Sequence, residues 1–133
     1  MCKEEKMENL LIQETKYTPR VELNADDGTI KISGKSYPEN TFDYYLPITN
    51  WIENYFKESQ NVKTIVDLDL EYLNSSSLKA YFDMFDILED ASQNKKEIKI
   101  NWIYDEDNDI SQETGEDFIE DFEDLDISLV VKS

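Results

Sequence analysis

The sequence contains no histidine, one cysteine, three glycines and three prolines in 133 residues, and only 13 lysines and arginines against 31 aspartates and glutamates. Each shortage removes a class of chemistry. Without histidine there is no Ser-His-Asp relay, no imidazole base and no imidazole metal ligand. The lone Cys2 has no partner for a disulfide within the chain, and in a charged N-terminal stretch it makes a poor nucleophile. Gly28, Gly34 and Gly115 form neither a P-loop nor a dinucleotide fingerprint, so no phosphate cradle of either kind is encoded. The formal charge of -18 repels phosphate backbones and anionic lipids, so neither nucleic acid nor a membrane is an expected partner. The start MCKEEKMENLL lacks a signal peptide's basic and apolar regions, and no window approaches the ~18 apolar residues of a spanning helix. A cytoplasmic location is the expectation.

What is present is enough for a core. Hydrophobic residues make up 39% and aromatics 12%, with 8 Tyr, 6 Phe and 2 Trp, which separates the chain from disordered sequences of similar charge. The length suits one domain, expected over residues 8–133 behind a solvated tail at 1–7. With 31 acidic side chains some carboxylate pair always looks plausible, so such a pair carries no catalytic signal, and the chain reads as a non-enzyme.

Periodicity orders the elements. LLIQ (10–13) suits a short strand. Val21 and Leu23, then Ile30 and Ile32, flank Asn24-Ala25-Asp26-Asp27-Gly28 and predict a hairpin in which Gly28 supplies a positive φ and Gly34 ends the second strand. Phe42, Tyr45, Leu46, Ile48, Ile52, Tyr55 and Phe56 recur at helical spacing. Because an interior proline loses a hydrogen bond, that pattern predicts a turn or short helical piece from Pro38 and a firm helix only from about Pro47 to Lys57. KTIVDLDLEYL alternates, with Val66, Leu68, Leu70 and Tyr72 on a buried face and Asp67, Asp69 and Glu71 on an acidic one. Leu78, Tyr81, Phe82, Phe85 and Leu88 mark a second helix ending near Ser92. KEIKINWIY is a strand, Phe118, Ile119 and Phe122 lie on a third helix, and ISLVV (127–131) closes the pattern as a buried strand. Strands alternating with helices imply right-handed crossovers: an α/β fold with a mainly parallel mixed β-sheet, an N-terminal hairpin and about three helices.

Two segments carry candidate chemistry. DEDNDISQETGE places Asp105, Asp107, Asp109 and Glu116 at positions 1, 3, 5 and 12 of a calcium loop, but Ile110 stands where the turn needs glycine and a strand precedes it where an EF-hand needs a helix. Otherwise these acids simply favour the N-terminus of the next helix. YLNSSSLKAYFDMF (72–85) sets three serines between a strand and a helix. One hydroxyl, or Asn74, accounts for helix capping. The others fall at the C-terminal edge of the sheet, where open α/β folds expose functional residues to solvent and a kinase can reach them.

YLNSSSLK resembles the phosphorylation turn of STAS-type anti-sigma-factor antagonists, in which an acidic or amide residue precedes two hydroxyl residues at a helix start. TKYTPRVEL, SYPENTFDYYLPITNWIENYF, YLNSSSLKAYFDMFDILEDA and NWIYDEDNDISQETGEDFIEDF together resemble the SiaC family of bacterial regulatory phosphoproteins, from about Leu10 to Val131. The resemblance implies a single STAS-like domain and reversible phosphorylation by a serine/threonine protein kinase, with removal by a PP2C-type phosphatase. In some members it also implies binding to a diguanylate cyclase when unphosphorylated. Carried onto this chain, the phosphoacceptor is Ser75, where the family commonly has threonine, with Ser76 as runner-up. The expected partner surface is Tyr37, Pro38, Glu39, Asn40, Asn74, Ser76, Ser77 and Lys79, although Tyr37 to Asn40 read equally well as a helix-entry turn. No cofactor is expected. Two functions follow: a phosphorylation-switched binding protein, or a constitutive acidic interaction module whose serines serve only as caps.

Overall fold

A computed structural model describes residues 7–59, 61 and 63–132. Among them the strands are β1 (Leu10–Ile12), β2 (Arg20–Asn24), β3 (Thr29–Ser36), β4 (Lys63–Leu73), β5 (Glu97–Asp105) and β6 (Asp126–Lys132), and the helices are α1 (Thr41–Glu58), α2 (Ser75–Gln93) and α3 (Asp109–Asp121). Cys2 and most of the expected tail lie outside the described residues. Met7, placed in that tail by the sequence, instead packs partly buried against the core.

The hairpin forms as its pattern dictates, with Val21 opposite Ile32 and Leu23 opposite Ile30. Asn24 closes its turn by accepting from the Asp27 amide at 3.0 Å. Gly28 follows at φ +72, where a side chain would meet the Lys63 carbonyl at 2.9 Å, so both conformation and space require glycine. β1 adds to β2 antiparallel, and β3, β4, β5 and β6 run parallel.

Strand order across the sheet is the order along the chain, β1 to β6. Right-handed crossovers that all step the same way put every helix on one face. Burial agrees. The row Val21, Ile32, Leu68, Trp102 is closed off from solvent, while its neighbour row Glu22, Lys31, Asp67, Asn101 is polar, with Asn101 donating to Asp67 at 2.8 Å. Among the described residues the fold is thus a two-layer sandwich whose other sheet face is open. No described helix is long and apolar enough to cross a membrane.

Four elements depart from the sequence reading. α1 begins at Thr41 and runs through Pro47, because Pro47 and Asp43 both lie on the exposed side, where the carbonyl left without its amide partner is turned toward water. β3 continues past Gly34 to Ser36, and Gly34, at φ +119, sits where the pairing with β4 shifts by one residue. Gly34 opposes Leu70 but Lys35 opposes Tyr72, so Glu71 is extra and the alternation reverses. Tyr72, expected inside, is 51% exposed for that reason. β6 is an edge strand, half-buried at Ile127 and Leu129 and exposed at Val130 and Val131, since nothing described lies beyond it.

All three helices start with asparagine. Asn40, Asn74 and Asn108 each accept from the amide three residues on, those of Asp43, Ser77 and Ser111. α2 and α3 pack through Phe82, Phe85, Phe118 and Phe122, with Trp102 beneath Phe118 at a ring separation of 5.3 Å. Gly115 lets α3 settle on that indole, as a Cβ there would lie 2.5 Å from Trp102 Cδ1. Gly115→Ala should therefore destabilise the fold by about 1–3 kcal/mol despite alanine's better helix propensity, read as a lower urea midpoint at unchanged slope.

Candidate functional site

The serine turn is assembled from three directions. β4 ends at Leu73, the Asn74 amide donates to the Ser36 carbonyl at 3.1 Å, and the Asn74 side chain accepts from the Ser77 amide at 2.8 Å. Asn74, rather than Ser75, is the cap. Because the side chains of a helix's first turn point in different directions, the three serines separate: Ser75 and Ser76 face solvent, whereas Ser77 is 0% exposed. Ser77 is thus removed from the expected partner surface.

Its destination is a chain of buried hydroxyls. Ser77 Oγ lies 2.7 Å from Ser36 Oγ, which lies 2.6 Å from the Tyr45 hydroxyl, and Tyr45 donates to the Tyr81 hydroxyl at 3.1 Å. With the Tyr45 proton committed to Tyr81, a consistent assignment has Ser77 donating to Ser36 and Ser36 to Tyr45. The chain bolts the end of β3 to both α1 and α2. The sequence offered no signal for it, as Ser77 and Ser36 are 41 residues apart and neither falls on an apolar period.

Tyr37 to Asn40 lead into α1. Asn40 is its cap, and Tyr37 sits edge-on between the rings of Tyr17 and Tyr72 at 5.3 and 5.7 Å. Pro38 is half-buried, and Glu39 and Asn40 are exposed.

Beside Ser75 and Ser76 a groove of about 730 Å³ opens between α1 and α2, with Phe42, Leu46, Ala80 and Ile87 among its walls. Phe42 and Leu46 belong to the apolar helical face read from the sequence, yet they are not core: Phe42 is 71% exposed. The hidden face of α1 is Tyr45, Ile48, Trp51, Ile52 and Tyr55, and Phe42 and Leu46 flank it. Tyr45 lines the groove and belongs to the hydroxyl chain, so the groove and the serine turn share a support. Lys79, also expected at the partner surface, lies at this mouth, exposed and 3.6 Å from Asp83.

Charge singles out the same spot. α1 and α3 carry Asp43 and Asp109 in their first turns, but α2 has no acidic residue there, in a chain with 31 of them. The first turn of α2 itself supplies no carboxylate to the positive end of its dipole, beside two exposed hydroxyls.

The calcium candidates disperse. Asp105 ends β5, Asp107 lies in the turn, and Asp109 and Glu116 ride on α3. The nearby hollow holding Asp105 and Asp107 already contains a cation, as Lys132 Nζ reaches both Asp69 carboxylate oxygens at 2.9 Å. Among the described residues no three acidic or cysteine side chains converge on a possible metal position.

The chain is similar to known proteins over nearly its whole length. The profile of the SiaC family regulatory phosphoprotein matches residues 12–132. Protein PA14_02130 of Pseudomonas aeruginosa is 36% identical over 115 residues, which is 86% of this chain and 90% of that protein. The solved structure of SiaC of Pseudomonas aeruginosa superposes with a TM-score of 0.88 at 32% identity, covering 95% of this chain and all of the other. SiaC in the crystal structure of its complex with the diguanylate cyclase SiaD, which it activates, gives 0.87 at 32% identity, with 92% and 99% covered.

Two outcomes follow from the hydroxyl chain and its neighbour Tyr44. Ser36→Ala and Ser77→Ala should each cost about 1–3 kcal/mol, since each strands a buried partner, and the double variant should cost clearly less than the sum, measured as a double-mutant cycle in urea. Burial pushes the Tyr45 and Tyr81 hydroxyls above their ordinary pKa, and that of Tyr44 up to about 12. Groups raised in the folded state favour folding below the unfolded value of 10.0 and lose that contribution as pH climbs toward the folded one. Stability should hold to about pH 9 and fall between about 10 and 12, with a flatter fall in Tyr44→Phe.

Proposed function

Because this chain belongs to the SiaC family of regulatory phosphoproteins, we propose that it is a non-catalytic binding protein switched by a phosphate on Ser75. The observation that carries the reading is the pairing of an exposed hydroxyl in a first turn free of carboxylates with an apolar groove opening beside it. Unphosphorylated, the turn and the Phe42–Leu46 wall form one continuous surface onto which a partner docks. A phosphate on Ser75 adds roughly -1.5 to -2 charges at the groove mouth. The α2 N-terminus accommodates it: the dipole favours an anion there, and Lys79, one helical turn on, is within reach. The Asn74 cap uses a different side chain and persists. The helix therefore stays formed, and the cost falls on the partner, which must desolvate the dianion or leave.

A serine/threonine kinase adds the phosphate and a PP2C-type phosphatase removes it, and the partner is a diguanylate cyclase, by analogy with the solved complex of SiaC with SiaD. Ser76 is exposed next to Ser75 and is the secondary acceptor, whereas the buried Ser77 is closed to a kinase.

Ser75→Ala should lose phosphate incorporation by the cognate kinase, seen as intact mass, while still binding the partner. Ser75→Asp should weaken binding by about tenfold or more, ~1.4 kcal/mol, in a titration. Full-stoichiometry labelling of Ser75→Ala would move the site to Ser76, and equal affinity of phosphorylated and unphosphorylated protein would leave only a constitutive acidic module.

A further inference from the structure

β6 is the last strand of the sheet and runs seven residues, DISLVVK, with one edge unpaired among the described residues. The opposite edge, β1, is only three residues long. Natural edges are shielded by shortness, proline, bulges or charge, and β1 follows that pattern, whereas β6 carries charge only at its two ends, Asp126 and Lys132, and none across residues 127–131. Val130 and Val131 are 39% and 53% exposed on it.

We propose that β6 is a self-association edge, on which two copies pair antiparallel about Leu129 to join their sheets. Ile127, Leu129 and Val131 share the helix-side face in register with Ile100, Trp102 and Tyr104, and Asp126, Ser128, Val130 and Lys132 share the open face. Residues directly opposite in an antiparallel pair lie on the same face, so a twofold axis perpendicular to the sheet must pass midway between one residue of β6 and the same residue of the other copy. Only an axis at Leu129 uses all seven residues. That register sets Ile127 against Val131, Ser128 against Val130, and Asp126 against Lys132 of the other copy.

The last pairing is charge-complementary, and it meets ion pairs already present. Lys99 Nζ lies 3.0 Å from Asp126, and Lys132 Nζ lies 2.9 Å from Asp69. Across the axis these become a row of alternating sign on the open face: Lys99, Asp126, then Lys132 and Asp69 of the other copy. Opposing this is the -18 charge of each copy, including the exposed Glu113, Glu116, Asp117, Glu120 and Asp121 of α3, which packs over β5 and β6. The pairing should therefore tighten as salt screens that repulsion, the reverse of a contact held together by net charge.

Sedimentation velocity of the full chain at 0.1 and 0.5 M NaCl tests this. Dimer should appear with rising concentration and increase at the higher salt, and Val130→Lys/Val131→Lys should weaken it at least tenfold while leaving circular dichroism unchanged. In a Cys2→Ser background, Ser128→Cys/Val130→Cys should give a disulfide-linked dimer on mild oxidation, reporting the register directly. Monomer at every concentration and salt, a dimer indifferent to the lysine substitutions, or failure of the cysteines to cross-link within an existing dimer would each overturn the proposal. None of these outcomes depends on Ser75 or its phosphorylation.

Discussion

Four hydroxyl groups, shut away from water where β3 ends and α1 and α2 lie alongside one another, hold the serine-turn end of this molecule together. Ser36, Ser77, Tyr45 and Tyr81 satisfy one another, and no buried side-chain polar atom among the described residues lacks a partner. A polar cluster in an apolar interior is costly unless complete, which makes it a strict specifier of geometry. It fixes how far β3 runs, where α2 starts and how α1 leans toward α2. The serine turn and the groove inherit their relative position from it. Side chains that a partner would meet, such as Ser75 and Phe42, thus stand on a support they do not belong to.

The surface above that support is unusual for its charge. An acidic chain could place carboxylates at every helix N-terminus, where the dipole favours them, and α1 and α3 do so. α2 leaves the place open and offers serine. The same electrostatics that would let a phosphate sit there without melting the helix make it conspicuous to anything docking on the groove. Switching of this kind needs no conformational change, only a change in what the partner must desolvate.

Much of this was legible in the residues. Period-2 and period-3.6 patterns located the hairpin, the central strands and the helices, short apolar runs marked β1 and β6, and the segment 24–28 announced the hairpin's turn. The serine turn was recognisable because a strand, a cap and a helix met there with more hydroxyls than a cap requires. The departures share a cause. Pro47 looks like a helix start in sequence because local rules say nothing of which side faces water. Tyr72 continues the buried face in sequence because a single bulged residue, Glu71, is invisible to an alternation that continues on either side of it. Ser77 looks like its neighbours because its partner lies on another strand.

The sequence by itself determined the order and type of the elements, the buried face of the central strands short of the bulge at Glu71 and the residue class at the turn, since these depend on spacing along one segment and on short-range sterics. Only the tertiary structure decided which apolar residues of α1 are core and which wall a groove, which serine is sealed and which is free, and that β6 ends the sheet. Those outcomes depend on what another part of the chain covers, and coverage is a property of the assembled layers that no local period encodes.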